Sequence, residues 1–327
     1  MKEIKLQDIA GFQIGNADNQ HAGTGCTVII CPEGAPCSVD IRGGGPASRE
    51  SALLDPSAAA DRIHAILLGG GSAYGLDAAG GVMHFLEERN IGLPVGSAVV
   101  PLVVAACIFD LACGDNVRPD AAMGYAACEA AESRAPFEEG NHGVGTGATV
   151  GKLLNGQGMM KSGLGTCAIE LGEFQIGAVV AVNALGDVLD EHGNILAGLR
   201  TSDGIGFADT RKMMLNHYED LLPILAGAGD ATTNTTIGAV IMNGKFNKTQ
   251  LKKIAALASN GLVRAVRPVN TTADGDSIFA LSVGDVNFDL NLAGSAAAYV
   301  VEQAIRRAVY AAESAYGVPA WCDFNKK

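Results

Sequence analysis

At 327 residues, with 48% hydrophobic and 18% charged side chains, the chain has core material for one large domain or two ordinary ones and too little charge for extensive disorder. A net charge of −12 and only 5% aromatic residues argue against the basic face or stacking platform that nucleic acid requires. The longest apolar run, near Ala98–Phe109, contains Pro101 and is too short to span a bilayer, and Met1–Leu6 has no secretory h-region, so a cytoplasmic protein with no membrane partner is expected.

Residues 1–45 read as short strands between glycine turns. Cys26–Cys31 and Cys37–Ile41, joined by Pro32-Glu33-Gly34-Ala35-Pro36, are expected to form a hairpin. Arg42–Glu50 is a glycine-rich loop with two arginines and an acid, able to shape a pocket. The buried strand His64–Leu68 then runs into Gly69-Gly70-Gly71-Ser72-Ala73-Tyr74-Gly75 and a helix. Helix N-termini expose unpaired N–H groups, so this turn is a candidate substrate-binding loop, with Gly71, Ser72 and Tyr74 as its contacts. A G-x-S-x-G elbow fails here because Tyr74 stands where glycine is needed, so Ser72 is a loop or capping hydroxyl rather than a nucleophile.

Asp115–Asp120 reads as a loop and Ala121–Ala131 as a helix carrying Tyr125 and Cys128. Gly143, Gly145 and Ala148 satisfy G-x-G-x-x-A, but no strand precedes them and no good helix follows. The segment is better read as a Gly/Thr loop that brings Lys152 into a pocket. Gly177–Asn183 is a strand whose last residue, Asn183, either starts a turn or offers an amide to an oxyanion. Thr210–Leu222 is a candidate amphipathic helix, and His192 and His217 read as surface residues.

The polar run Gly229-Asp230-Ala231-Thr232-Thr233-Asn234-Thr235-Thr236 passes directly into the strand-like Ile237–Met242, placing hydroxyls at the mouth of a strand. Thr249–Ser259 follows as a helix expected to stop at Asn260-Gly261. Asp274 and Asp276 then stand two apart just before another strand; a calcium loop is the rival, but no further acids continue the D-x-D pattern. Ala296–Ala315 is a strong amphipathic helix, and the two terminal lysines read as frayed. The eight cysteines form no C-x-x-C pair and sit among small apolar neighbours, the pattern of reduced core thiols; no zinc site, other metal or cofactor is expected.

A threonine hydroxyl needs a base. A cut between Asn234 and Thr235 would supply one, because the new α-amino group, with an intrinsic pKa of about 8, lies in the same residue. Asn183 and Lys152 could then face the oxyanion, and Asp274 or Asp276 could orient the hydroxyl or ammonium.

Several pieces, in this order, carry a resemblance: Gly23–Val28, Asp40-Ile41-Arg42-Gly43-Gly44, Gly70–Asp77, Gly145–Thr149, Asn234-Thr235-Thr236-Ile237-Gly238 and Asp274–Phe279. Together they resemble the D-aminopeptidase/β-peptidyl aminopeptidase family, and within it the nylon-oligomer (aminohexanoate-oligomer) hydrolase branch. The resemblance implies an α/β fold of the ornithine-acetyltransferase-like α-β-β-α type, two sheets between helix layers, built from one domain over 1–327. It implies a self-processing N-terminal-nucleophile aminopeptidase or amidase, with fragments 1–234 and 235–327 held in a homo-oligomer of such pairs, a tetramer for example. Its substrate would be a small peptide or amide. The family's catalytic set maps onto Thr235, Lys152, Asn183, Asp274 and Asp276, with Lys161 the rival lysine and Tyr125 the candidate for its active-site tyrosine. A threonine-nucleophile acyltransferase of the ornithine acetyltransferase kind is the alternative, and a non-cleaving binding relative the third reading.

Overall fold

The computed structural model describes residues 1–227 and 234–324; the polar run Gly229–Thr233 and the terminal lysines lie outside the described residues. In chain order the main strands are β1 (Lys2–Ile4), β2 (Gln13–Asn19), β3 (Thr24–Ala35), β4 (Cys37–Ile41), β5 (Ala47–Arg49), β6 (Ile63–Gly69) and β7 (Val103–Cys107). They continue with β8 (Leu164–Leu171), β9 (Phe174–Asn183), β10 (Thr235–Gly244) and β11 (Ser277–Val286). The helices are α1 (Ala78–Glu88), α2 (Ala121–Glu132), α3 (Thr210–Asn216), α4 (Tyr218–Gly227), α5 (Lys248–Ala265) and α6 (Leu290–Tyr310).

Two sheets result. One has the order β1-β8-β9-β10-β11-β4, the other β2-β3-β6-β7-β5. Neighbours are antiparallel except for β10 with β11 and β6 with β7, which run parallel. Side chains alternate between faces along a strand, and that alternation builds three layers of core. Ile237, Ala239 and Ile241 of β10 meet Ile66 and Leu68 of β6 between the sheets. Val240 and Met242 turn the other way, onto Ile254 of α5 and Val301 of α6. Val28 and Leu67 of the second sheet face Phe85 of α1 and Ala127 of α2. The order helix, sheet, sheet, helix is the one the resemblance implies. All eight cysteines are unbridged and seven are buried, as their apolar company suggested.

Three expectations are corrected. Cys26–Cys31 and Cys37–Ile41 do not pair: β3 lies between β2 and β6, whereas β4 pairs with β11 in the other sheet. The Pro36 junction is a crossing between sheets, which a local hairpin signal cannot distinguish from a turn. The Thr210–Leu222 helix is two helices broken at His217. The helix expected to stop at Asn260-Gly261 runs through both to Ala265. Its start is fixed by a capping box, in which Asn247 and Gln250 satisfy each other's backbone N–H.

Gly261 is there for contact rather than termination. A Cβ on it would stand 2.2 Å from the carbonyl oxygen of Ala298 on α6. Alanine gains about 1 kcal/mol over glycine in a helix interior. Overpacking against rigid backbone costs about 1–3 kcal/mol, so the clash should win. Gly261→Ala is therefore expected to lower the melting temperature by several degrees, measured by circular dichroism; a raised Tm would mean that the helices separate without cost.

Candidate active site

Thr235 opens β10, and its register partner on β9 is Asn183, the final residue of that strand. Both take odd positions in runs whose odd residues line the core between the sheets, and both are buried. On the other flank, Asn234 bridges Asp274 in the parallel sense, so the loop before β11 lies directly alongside the junction. Gly275 N–H donates to the Asn234 carbonyl oxygen at 2.9 Å, and Asn234 Nδ2 donates to Ala273 O at 3.2 Å. Thr235 Oγ1 donates to that same Asn234 carbonyl. A Cβ at position 275 would lie 2.8 Å from Thr235 Oγ1, so glycine is what lets the loop approach the hydroxyl.

The two acids hold this arrangement through backbone donors. Asp276 Oδ1 accepts from Thr236 N–H at 2.6 Å and Oδ2 from Asn270 N–H at 2.9 Å. Asp274 accepts from Thr271 N–H at 3.0 Å and Leu185 N–H at 3.3 Å. Burial, reinforced by the neighbouring Asp274 carboxylate, pushes Asp276 up to about 7. The Arg42–Gly45 stretch cradles the acid loop: Arg42 N–H reaches Asp276 O at 3.0 Å and Gly45 N–H reaches Asp274 O at 2.9 Å. That stretch supports the acid loop through its backbone, with Gly43 so close that a Cβ would lie 2.3 Å from Asp276 N.

Lys152 Nζ donates to both the carbonyl oxygen and Oδ1 of Asn183, each at 2.9 Å. Burial drives its pKa down to about 7, against the opposing pull of Asp274, Cys113, Asp110 and Asp276. Lys161 is buried too, but its ammonium is bound to the carbonyls of Thr146 and Ala148 at 2.9 and 2.8 Å, and burial lowers it to about 8. Of the two lysines, Lys152 is the one bonded to Asn183. The amide of Asn183 is engaged as well: Nδ2 donates to Phe109 O at 2.9 Å, and Oδ1 accepts from Thr149 N–H at 3.1 Å. Asn183 thus positions Lys152, while the carbonyl of Asn234 takes its donors from Thr235 Oγ1 and Gly275 N–H.

A cavity of about 580 Å³ opens beside Lys152, lined also by Phe109, Asp110, Cys113, Thr149 and Met159. Gly71 connects to it through Asp110, its N–H donating to Oδ1 at 2.6 Å. Ser72 starts the 3-10 turn Ser72–Asp77, its N–H bound to Ile108 O. Tyr74 is 61% exposed, with the Arg118 guanidinium 4.0 Å above its ring. Tyr125 is remote from Thr235 in bonding terms: its hydroxyl donates to Glu88 and its ring packs on Phe85. Phe109, Asp110 and Gly275 went unnoticed in the sequence. Asp110 follows the apolar run Val103–Phe109 much as Asn183 ends Gly177–Asn183, and that shared polar ending was the available signal. Among the described residues no group of three or more His, Cys, Asp or Glu could hold a metal ion.

The sequence profile of Peptidase family S58 matches residues 5–320. An uncharacterised aminopeptidase of Mycobacterium leprae is 37% identical, over 97% of this chain and 93% of the relative. A 6-aminohexanoate-oligomer endohydrolase of a Kocuria species is 33% identical, over 88% of this chain and 77% of the relative. The L-aminopeptidase D-Ala-esterase/amidase of Ochrobactrum anthropi, described as a variant of the Ntn hydrolase fold, superposes with a TM-score of 0.64 at 20% identity, over 96% of this chain and 88% of that one.

Proposed function

The chain belongs to peptidase family S58 and is a hydrolase of amide bonds, and on that premise we propose that it is made as a precursor that cuts itself between Asn234 and Thr235. The observation that carries this reading is the doubly held junction carbonyl: Asn234 O accepts from the Thr235 hydroxyl and from Gly275 N–H. In the first stage Thr235 Oγ adds to the Asn234 carbonyl carbon. The negative charge gathers on an oxygen already facing the Gly275 donor. The hydroxyl proton passes to the peptide nitrogen, the C–N bond breaks, and an ester joins Asn234 to Thr235 Oγ. Water hydrolyses that ester, leaving Asn234 with a carboxylate and Thr235 with a free amine and hydroxyl.

In the second stage the free amine takes the hydroxyl proton as Oγ attacks a substrate amide and returns it to the departing amine. Water then resolves the acyl-enzyme. Lys152, braced by Asn183, supplies a cationic donor beside the reacting centre, and Asp276, bonded to Thr236 N–H, fixes the start of β10. The names of the relatives favour substrates that are small peptides or linear amides. Fragments 1–234 and 235–327 stay paired, and the pairs form a homo-oligomer.

Intact mass under denaturing conditions, with amino-terminal sequencing, tests the proposal. Two fragments are expected, the smaller beginning Thr-Thr-Ile-Gly. One uncut chain after prolonged incubation overturns it.

A further inference from the structure

Arg200 is a cation without an anion. Its Nε is shut off from solvent and has no hydrogen-bond partner. Among the described residues its guanidinium forms no ion pair. Two carboxylates on the segments around it are committed elsewhere. Asp203 accepts from the Thr201 hydroxyl and from Ile205 N–H at 3.0 Å, and Asp323 accepts from the Ser314 hydroxyl. The guanidinium instead borders a cavity of about 310 Å³, walled by Ile195, Leu196 and Phe207 and, from the short helix Trp321–Phe324, by Trp321 and Phe324. The Phe324 ring lies 5.9 Å from the guanidinium carbon, and Ile205, 86% exposed, completes the lining.

This cavity adjoins the one beside Lys152. Arg200 N–H donates to Gly158 O at 2.9 Å, and the residues on either side of that glycine, Gln157 and Met159, line the Lys152 cavity. The preceding Leu199 N–H is held by Asp187 Oδ1 at 2.8 Å. It lies so close to the residue before Lys152 that a Cβ on Gly151 would fall 2.1 Å from Leu199 N. Leu199–Arg200 and Gln157–Met159 therefore form a wall shared by the two spaces.

A guanidinium presents parallel N–H donors in a plane, and a carboxylate matches them with two oxygens. A phosphate would bring about two negative charges, and Arg200 is the one charged side chain among the described residues that line the cavity. Aromatic and branched walls favour a ligand with an apolar body. We propose that this cavity is a second binding site, for a carboxylate carried on an apolar chain and held by Arg200. A free acid and the far carboxyl end of a linear amide substrate share that chemistry.

Calorimetric titration with hexanoate and its neutral isostere hexanamide tests the site without catalysis, so the result is independent of the hydrolase reading. Hexanoate should bind about tenfold more tightly than hexanamide, and Arg200→Gln should remove that advantage. Lys152→Met should retain it, which separates this site from the reaction cavity. Equal binding of the two ligands, or an advantage kept in Arg200→Gln, overturns the site. Should Arg200→Gln not fold, Ile205→Glu sets an anion at an exposed position of the lining and should weaken hexanoate about tenfold without affecting hexanamide. Unchanged hexanoate affinity in that variant overturns the site as well.

The source is read from hydrolysis of alanyl-6-aminohexanoate and of its carboxamide. A kcat/KM preference for the acid that Arg200→Gln abolishes assigns the site to the far end of the substrate. Equal rates, with hexanoate still bound, assign it to a free acid. A wild-type protein inert on both counts against the hydrolase reading and leaves the calorimetric result standing.

Discussion

Thr235→Ala is expected to remain a single uncut chain and to lose amide hydrolysis by about 10⁴-fold or more, as removal of a nucleophile does in other hydrolases. The neighbouring hydroxyl cannot substitute. Thr236 is the next residue of an extended strand, so its side chain leaves the opposite face, where its Oγ1 is buried without a hydrogen-bond partner. The variant loses one hydroxyl, whose hydrogen bond contributes about 1 kcal/mol, and one buried methyl, worth about another 1 kcal/mol, so the fold should survive. Thr235→Ser keeps the attacking oxygen and should still be cut. The measurements are intact mass and a discontinuous amide assay on the purified variants. An alanine variant that is cut and active would remove Thr235 from the mechanism.

Lys152→Met should reduce the rate of substrate hydrolysis by about 10²–10³-fold, the usual cost of losing a donor at a developing oxyanion, and should affect self-cutting less, because Gly275 N–H is the donor at the Asn234 carbonyl. A stability signature accompanies that loss. Lys152 falls from its ordinary 10.5 to about 7 because burial penalises its charge. Below pH 7 the ammonium is charged in both folded and unfolded chains and the full penalty is present. As pH rises from about 7 to about 10, the folded chain binds fewer protons than the unfolded one, so wild-type stability attributable to this group increases. Methionine does not titrate. The stability advantage of Lys152→Met over Lys152, measured by urea unfolding in the uncut Thr235→Ala background, should therefore be larger at pH 6 than at pH 9. A difference independent of pH would show that the amine is solvated.

Much of this site was legible because strands ending in polar residues are conspicuous. Asn183 closes an apolar run, Thr235 opens one, and Asp276 precedes one, so local pattern alone singled out positions that the fold then brings together. Lys152 was identified by its glycine loop, but only the three-dimensional arrangement separates it from Lys161, since both are buried lysines in the same stretch. Gly275 was invisible for a different reason. Its contribution is a backbone N–H, identical in every residue but proline, and its value depends on where Asn234 lies. The same holds for Gly43 against Asp276, a contact between residues far apart in sequence. Local pattern misled at Pro36 and at Gly261, where glycine and proline signals mark a crossing and a close helix contact rather than a hairpin and a stop.

The strand order β9-β10-β11-β4 has one more consequence. The two strands that follow residue 234 are flanked on both sides by strands that precede it, β9 on one edge and β4 on the other. A break at 234–235 would leave every rung of those ladders intact, so the pieces would remain interleaved like fingers of two hands. Unfolding would erase that memory. The uncut chain can return to its structure at any dilution, whereas the cut protein would have to find its other half by diffusion, with a yield that falls as the solution is thinned.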